Sequence, residues 1–178
     1  MELSGHRVIE APRGRVWEAL LDPEVLKACI PGCTEMSGSP EQGFVATVVQ
    51  KVGPVKATFH GEVTLEDLDR PDSLRLSGAG KGGAAGFARG GAACRLSEAE
   101  AGATRLDFDV EAKVGGKLAQ LGSRVIDGFA RKMADQFFEN FKTAVEGPPE
   151  PAAAGDEAEA DAEAAPQKRK WFGLKGAD

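Results

Sequence analysis

From Gly116 to Glu146 about thirty residues run without a proline and repeat apolar side chains at helical spacing, directly behind a segment that alternates apolar and polar residues. These two patterns together demand a long amphipathic helix laid against a sheet. Leu118, Leu121, Val125, Phe129 and Met133 mark its predicted inner face. Beyond Met133 the apolar positions continue as Phe137, Phe138, Phe141 and Val145, their centre turned roughly a third of the way round the helical wheel. The helix therefore either bends over a curved sheet near Gly128 or gives its C-terminal half to a second partner, such as short helices earlier in the chain. Gly147, Pro148 and Pro149 terminate it, since glycine suits the left-handed cap and proline lacks an amide proton.

The segments before the helix read as strands. Val55 to Leu65 and Thr104 to Val114 alternate with period two, the signature of a half-buried strand. Phe44 to Val52, Leu74 to Gly82 and Ala84 to Leu96 are further strands, blurred by alanine and glycine, with turn chemistry at Pro71-Asp72-Ser73 and Gly82-Gly83. Short turns imply antiparallel pairing. Upstream, Ser4 to Glu10 is a strand, a helix opens at Ala11-Pro12, and a second runs from Asp22-Pro23 through Cys29 with Asp22 as its N-cap. The expected fold is α+β: a strand, two short helices and five strands forming a curved antiparallel sheet wrapped around a long C-terminal helix.

Many positions expected on the concave face are small: Ala57, Gly61, Gly78, Gly80, Ala88, Ala92 and Ala112. Either the helix packs closely into that space and the glycines mark bulges that curve the sheet, or the small side chains leave a hollow. Phe59, Phe108, Leu121, Val125, Phe129, Met133 and Phe137 would then be the large apolar walls of a site for a hydrophobic small molecule. Pro31-Gly32, in the loop between the helical pair and the sheet, is either a plain turn or part of the cavity entrance.

Several separated motifs carry a family resemblance in order. Asp22-Pro23-Glu24-Val25-Leu26 is followed by Cys29-Ile30-Pro31-Gly32-Cys33, then by Val52-Gly53-Pro54-Val55 with Phe59-His60-Gly61. The run Gly78-Ala79-Gly80-Lys81-Gly82-Gly83 and the stretch from Val114 to Arg124 complete the set. Over roughly residues 1 to 146 the chain resembles the carbon monoxide dehydrogenase G-subunit family, a branch of the START-like, helix-grip superfamily of hydrophobic-ligand binders. The resemblance implies a non-catalytic accessory protein associated with a molybdenum hydroxylase of the carbon monoxide dehydrogenase type, recruiting it to the cytoplasmic membrane. No cofactor is expected; a quinone or lipid would be cargo. A ligand-free adaptor and a START-like enzyme are the alternatives, because one fold hosts many functions.

Behind the domain, Gly147 to Gln167 holds six acidic residues and no basic one among alanines and prolines, a composition that predicts a flexible linker. Residues 168 to 178 then reverse the sign. Lys168, Arg169, Lys170 and Lys175 flank Trp171, Phe172 and Leu174, which suits an anionic bilayer surface or docking on a protein groove. Eight residues are too few to span, which takes about twenty. With no secretory signal visible, contact from the cytoplasmic side is expected.

A formal net charge of -6 argues against nonspecific nucleic-acid binding, and along the chain no basic patch with interleaved aromatics occurs inside the domain. Cys29, Cys33 and Cys94 are expected to be structural thiols rather than metal ligands. Catalysis has few candidates: two histidines, no tyrosine, and the acids Asp107, Asp109 and Glu111 on the predicted wet face of a strand.

Overall fold

The computed structural model describes residues 1–147. The tail residues from 168 onward, and most of the acidic linker, lie outside the described residues. Seven strands form one antiparallel sheet: β1 (Glu2–Ile9), β2 (Cys33–Ser39), β3 (Gly43–Val52), β4 (Val55–Asp69), β5 (Ser73–Lys81), β6 (Phe87–Glu98) and β7 (Thr104–Gly115). Their spatial order is β1-β7-β6-β5-β4-β3-β2, so β2 to β7 make a meander and β1 returns to pair with β7. Two short helices, α1 (Arg13–Leu20) and α2 (Pro23–Cys29), join β1 to β2, and the long α3 (Ser123–Glu146) closes the sheet.

Local chemistry explains the helix boundaries. Asp22 caps α2 as expected, its carboxylate accepting from the Glu24 amide at 2.9 Å, with Pro23 in the first turn. Gly147 takes φ +73, the left-handed conformation anticipated at the end of α3.

Two expectations need correction. The long helix does not begin at Gly116: residues Gly116–Leu121 form a 3-10 turn, and Gly122 at φ +91 separates it from α3. Leu118 and Leu121 therefore belong to the turn. Within α3 the buried stripe runs through Ile126, Phe138, Phe141 and Val145, while Val125 is 40% exposed. Starting the helix seven residues later shifts its register, and Ile126 takes the inner place assigned to Val125. The C-terminal half meets the short helices: Phe138, Phe141 and Val145 share a core with Val16, Trp17 and Cys29, and Asn140 Nδ2 donates to the Cys29 carbonyl at 3.0 Å.

The second correction is β2, a strand that the alternation did not reveal. It lies at the sheet edge, and a register shift between Cys33 and Glu35 breaks its period. Only one of its sides pairs, so no strict apolar alternation is required of it.

Candidate functional site

The helix rests on the sheet at two separate cores. One gathers Ile9, Trp17, Leu106, Phe108 and Phe141 beneath α1 and α2; the other is Val52, Leu118 and Ile126 near the start of α3. Between them the concave face remains unfilled. An upper chamber of about 390 Å³ is walled by Phe44, Val63, Leu76, Phe108 and Phe137, with Leu20, Leu26 and Ile30 of the short helices. A lower chamber of about 380 Å³ is walled by Val52, Phe59, Val114, Leu118, Ile126 and Phe129. Val110, Met133 and Ala134 border both. Each volume falls within the range typical of small-molecule sites.

The register shows why the hollow exists. Ala46, Gly61, Gly80 and Ala88 are successive cross-strand partners on β3, β4, β5 and β6, a row with hardly any side-chain volume. A Cβ at Gly61 would meet backbone no closer than 3.5 Å, and one at Gly80 no closer than 3.9 Å, so both positions have room to spare. Gly78 and Gly90, cross-strand partners themselves, behave differently. A Cβ at Gly78 would come within 2.7 Å of the Glu62 carbonyl oxygen, and one at Gly90 would collide with that of Glu111. The glycines thus divide into two kinds, and neither Gly78 nor Gly90 marks a bulge, since the strand register runs unbroken through both. Gly61 and Gly80 leave volume, whereas Gly78 and Gly90 admit the close approach of the neighbouring strand's backbone.

Of the anticipated wall residues, Phe108, Met133 and Phe137 line the upper chamber, and Phe59, Phe129 and Met133 the lower one. Leu121 packs against the lower core without lining the chamber. Val125 lines neither chamber; it is exposed, and its Cγ1 stands 3.7 Å from where a Cβ on Gly53, in the β3–β4 turn, would be. Sequence reasoning missed Ile126, Leu20, Leu26, Ile30 and Met36, residues from four elements that only the tertiary fold brings together. Ile126 alone had a local signal, its spacing to Phe129 and Met133.

Pro31 lines the upper chamber; Gly32 does not. Gly32 has φ +78 and lies against the Val49 carbonyl, where a side chain would collide. The loop is pinned twice to β3: the Val49 amide donates to the Gly32 carbonyl at 2.9 Å, and Gln50 Nε2 donates to the Pro31 carbonyl. Gln50 is the polar side chain of the lower chamber, and this bond engages one of its two amide protons.

At the β1 edge, the Arg7 guanidinium lies 5.5 Å from the Phe108 ring centre and 5.2 Å from that of Phe138, and donates to Asp135 at 2.6 Å. The cation–π contacts and the ion pair tie the edge strand to α3. Because Asp135 is largely exposed, the ion pair itself is worth at most about 1 kcal/mol.

The ionisable groups facing inward are few. Cys94, in the upper chamber wall, is pushed up to about 11 by burial, with the nearby charge of Asp109 adding to the effect. Burial also raises Cys29 and Cys33. A protonated thiol is a poor nucleophile and a poor metal ligand. Asp109 and Glu111 are exposed on the convex side, and Asp107 is held below the usual carboxylate range chiefly by its hydrogen bond from Arg105.

The Cys94 shift makes a checkable prediction. A thiol whose folded pKa lies above its ordinary value of 9.0 contributes stability that is complete below pH 9 and is lost as pH rises through about 11. Unfolding free energies from urea titration should therefore fall more steeply between pH 9 and 11 for the parent than for Cys94→Ala, by on the order of 2 kcal/mol. Parallel pH profiles would show that Cys94 ionises as freely as in the unfolded chain.

A curved antiparallel sheet gripping a long C-terminal helix over an apolar hollow defines a START-like, helix-grip protein. Within that class the chain belongs to the carbon monoxide dehydrogenase G-subunit (CoxG) family, whose model matches residues 5–146. A conserved protein from Geobacillus kaustophilus has a similar solved structure, with 26% identity and a TM-score of 0.76 over 82% of this chain and 95% of that one. A protein from Thermus thermophilus shares the fold at 16% identity and TM-score 0.63, covering 82% of this chain and 97% of its own. One from Chromobacterium violaceum does so at 18% identity and TM-score 0.60, covering 83% and 99%. No curated protein matches the chain.

Proposed function

We propose that this protein is a non-catalytic accessory subunit of a molybdenum hydroxylase of the carbon monoxide dehydrogenase type, carrying a hydrophobic ligand, a quinone, and recruiting the enzyme to the inner face of the cell membrane. The observation that carries the reading is the pair of apolar chambers meeting at Val110, Met133 and Ala134. Two linked chambers suit an elongated ligand with a ring at one end and a hydrocarbon tail at the other. Electrons leaving such an enzyme need a membrane-soluble acceptor, and a quinone has both the chemistry and the apolar surface. No helix among the described residues is long and apolar enough to cross a membrane, so recruitment falls to peripheral contacts. The basic-aromatic segment from Lys168 to Lys175 supplies one of them.

The non-catalytic part of the reading is supported by the chamber walls. Arg89 and Glu111, the polar residues an enzyme of this fold would need turned inward, are exposed on the convex face. The thiol that does face the hollow is raised, not activated. The test is organic extraction of the purified full chain, directly and after incubation with quinone-containing vesicles, followed by mass spectrometry. Stoichiometric quinone in the extract is expected. Recovery of nothing after loading would leave an adaptor without cargo.

A further inference from the structure

The meander sends its turns alternately to opposite ends of the sheet, and the two ends carry opposite charge. One end gathers the β3–β4 turn, the β5–β6 turn and the β7–α3 connection. Residues 51–58 contribute Lys51 and Lys56, residues 79–89 Lys81 and Arg89, and residues 112–126 Lys113, Lys117 and Arg124; none of these segments holds an acidic residue. At the other end the β2–β3 turn carries Glu41, the β4–β5 turn Glu66, Asp67, Asp69 and Asp72, and the β6–β7 turn Glu98 and Glu100; Arg70 lies within the β4–β5 turn, and Arg13 and Arg75 reach in from neighbouring elements to pair with Asp72, Glu98 and Asp67. The absence of a basic patch, true along the chain, is thus corrected by the topology, which assembles one from three separated segments.

Contacts confirm that the cationic segments meet. Lys51 faces Lys56 across the β3–β4 ladder, and Lys81 pairs with Phe87, which pairs in turn with Gly115. Lys56 and Lys117 flank one groove together with Gly82 and Ala84. All seven cations are exposed, and among the described residues none is in an ion pair; Lys51, Lys56, Lys81, Lys117 and Arg124 belong to the end itself, while Arg89 and Lys113, cross-strand partners, lie just inside it on the convex face in a groove that Glu62 and Glu111 also line. Two large apolar side chains stand out from the same end, Phe87 at 42% and Val125 at 40% exposed.

We infer that this end of the folded domain is itself a docking face for an anionic lipid bilayer, independent of the tail. A chain of net charge -6 approaches an anionic surface by its positive segments, and in the folded domain that is this end, with the acidic end turned away. Exposed lysines around an isolated Phe and Val match the headgroup layer, where cations meet phosphate and apolar side chains enter the interface. A protein groove would instead be matched by a contiguous apolar surface. The same connections also build the lower chamber, through Val52, Leu118 and Ile126. The connections that would meet the bilayer thus also wall the cargo site.

This inference rests on the membrane-recruiting reading, and the test separates the two. Partition of the full chain onto phosphatidylcholine vesicles, with and without phosphatidylglycerol, is compared with two variants. The face variant combines Lys56→Gln, Lys81→Gln, Lys117→Gln and Arg124→Gln; the tail variant combines Lys168→Gln, Arg169→Gln and Lys170→Gln. Since each cation near an anionic leaflet contributes roughly fivefold, the face variant should bind phosphatidylglycerol vesicles about tenfold or more weakly, with an unchanged melting temperature. Phe87→Ser should weaken binding further without altering its salt dependence. Parental binding by the face variant, with release of the tail variant, overturns the docking face and leaves the tail reading standing. Absence of binding by the parent overturns both. Retained vesicle binding with lost binding to the purified dehydrogenase overturns the lipid assignment in favour of protein docking.

Discussion

The Gly80→Leu, Ala92→Leu double variant is expected to lose hydrophobic-ligand uptake almost completely while melting at or above the parental temperature. Gly80 lies in the wall of the lower chamber and Ala92 in that of the upper, both on the concave face of central strands. A Cβ at position 80 clears every neighbour by 3.9 Å, so the new side chain has only the hollow to enter. Leucine also suits a strand better than glycine, by up to about 1 kcal/mol. Occupying the volume that a ligand would need should reduce affinity by two orders of magnitude or more, since the bound molecule has no other place to bury its surface. Isothermal titration with a short-chain benzoquinone reads the affinity, and calorimetric melting reads the fold. Undiminished titration by a well-folded double variant would place the ligand elsewhere and sink the carrier reading. A collapse of the melt would mean that the chambers are already at their packing limit.

The opposite kind of change, emptying a filled site, should have the largest effect on stability. Phe141 is fully buried, where α3 meets the short helices, with its ring 5.7 Å from that of Phe137. Phe141→Ala should cost about 3–5 kcal/mol, through lost transfer energy and the cavity left behind. For a domain of this size each kcal/mol lowers the melting temperature by about 2–4 °C. The upper chamber adjoins this ring cluster, since Phe137 and Phe138 wall it, so ligand affinity should fall along with stability. A melt within a degree of the parent would show that the interior relaxes to fill the space.

Much of the fold was legible locally. The period-two runs of β4 and β7 record which side of each strand is wet, and the spacing of Phe137, Phe141 and Val145 records the buried side of α3. These signals work because burial alternates with the geometry of a single element. They fail where the backbone departs from that geometry. Gly122 broke the helix, so counting from Leu118 and Leu121 pointed to Val125 in place of Ile126. The bulge in β2 erased an alternation that an edge strand scarcely needs. The candidate site was half visible for the same reason. Phe59, Phe108, Phe129, Met133 and Phe137 lie on periodic elements, but Leu20, Leu26 and Ile30 reach the hollow only because the short helices fold over it, and Met36 only through the bulged edge strand β2.

Residue order alone was enough to specify a sheet, a closing helix, the family, and a set of small side chains in want of a role. It could not say which glycines leave space and which admit a close backbone neighbour. That depends on how near the neighbouring strand's carbonyls come, a distance that exists only once the strands are paired. Nor could it gather cations from three segments at one end: the segments lie far apart in the chain and become neighbours only because an antiparallel meander returns every second turn to the same end.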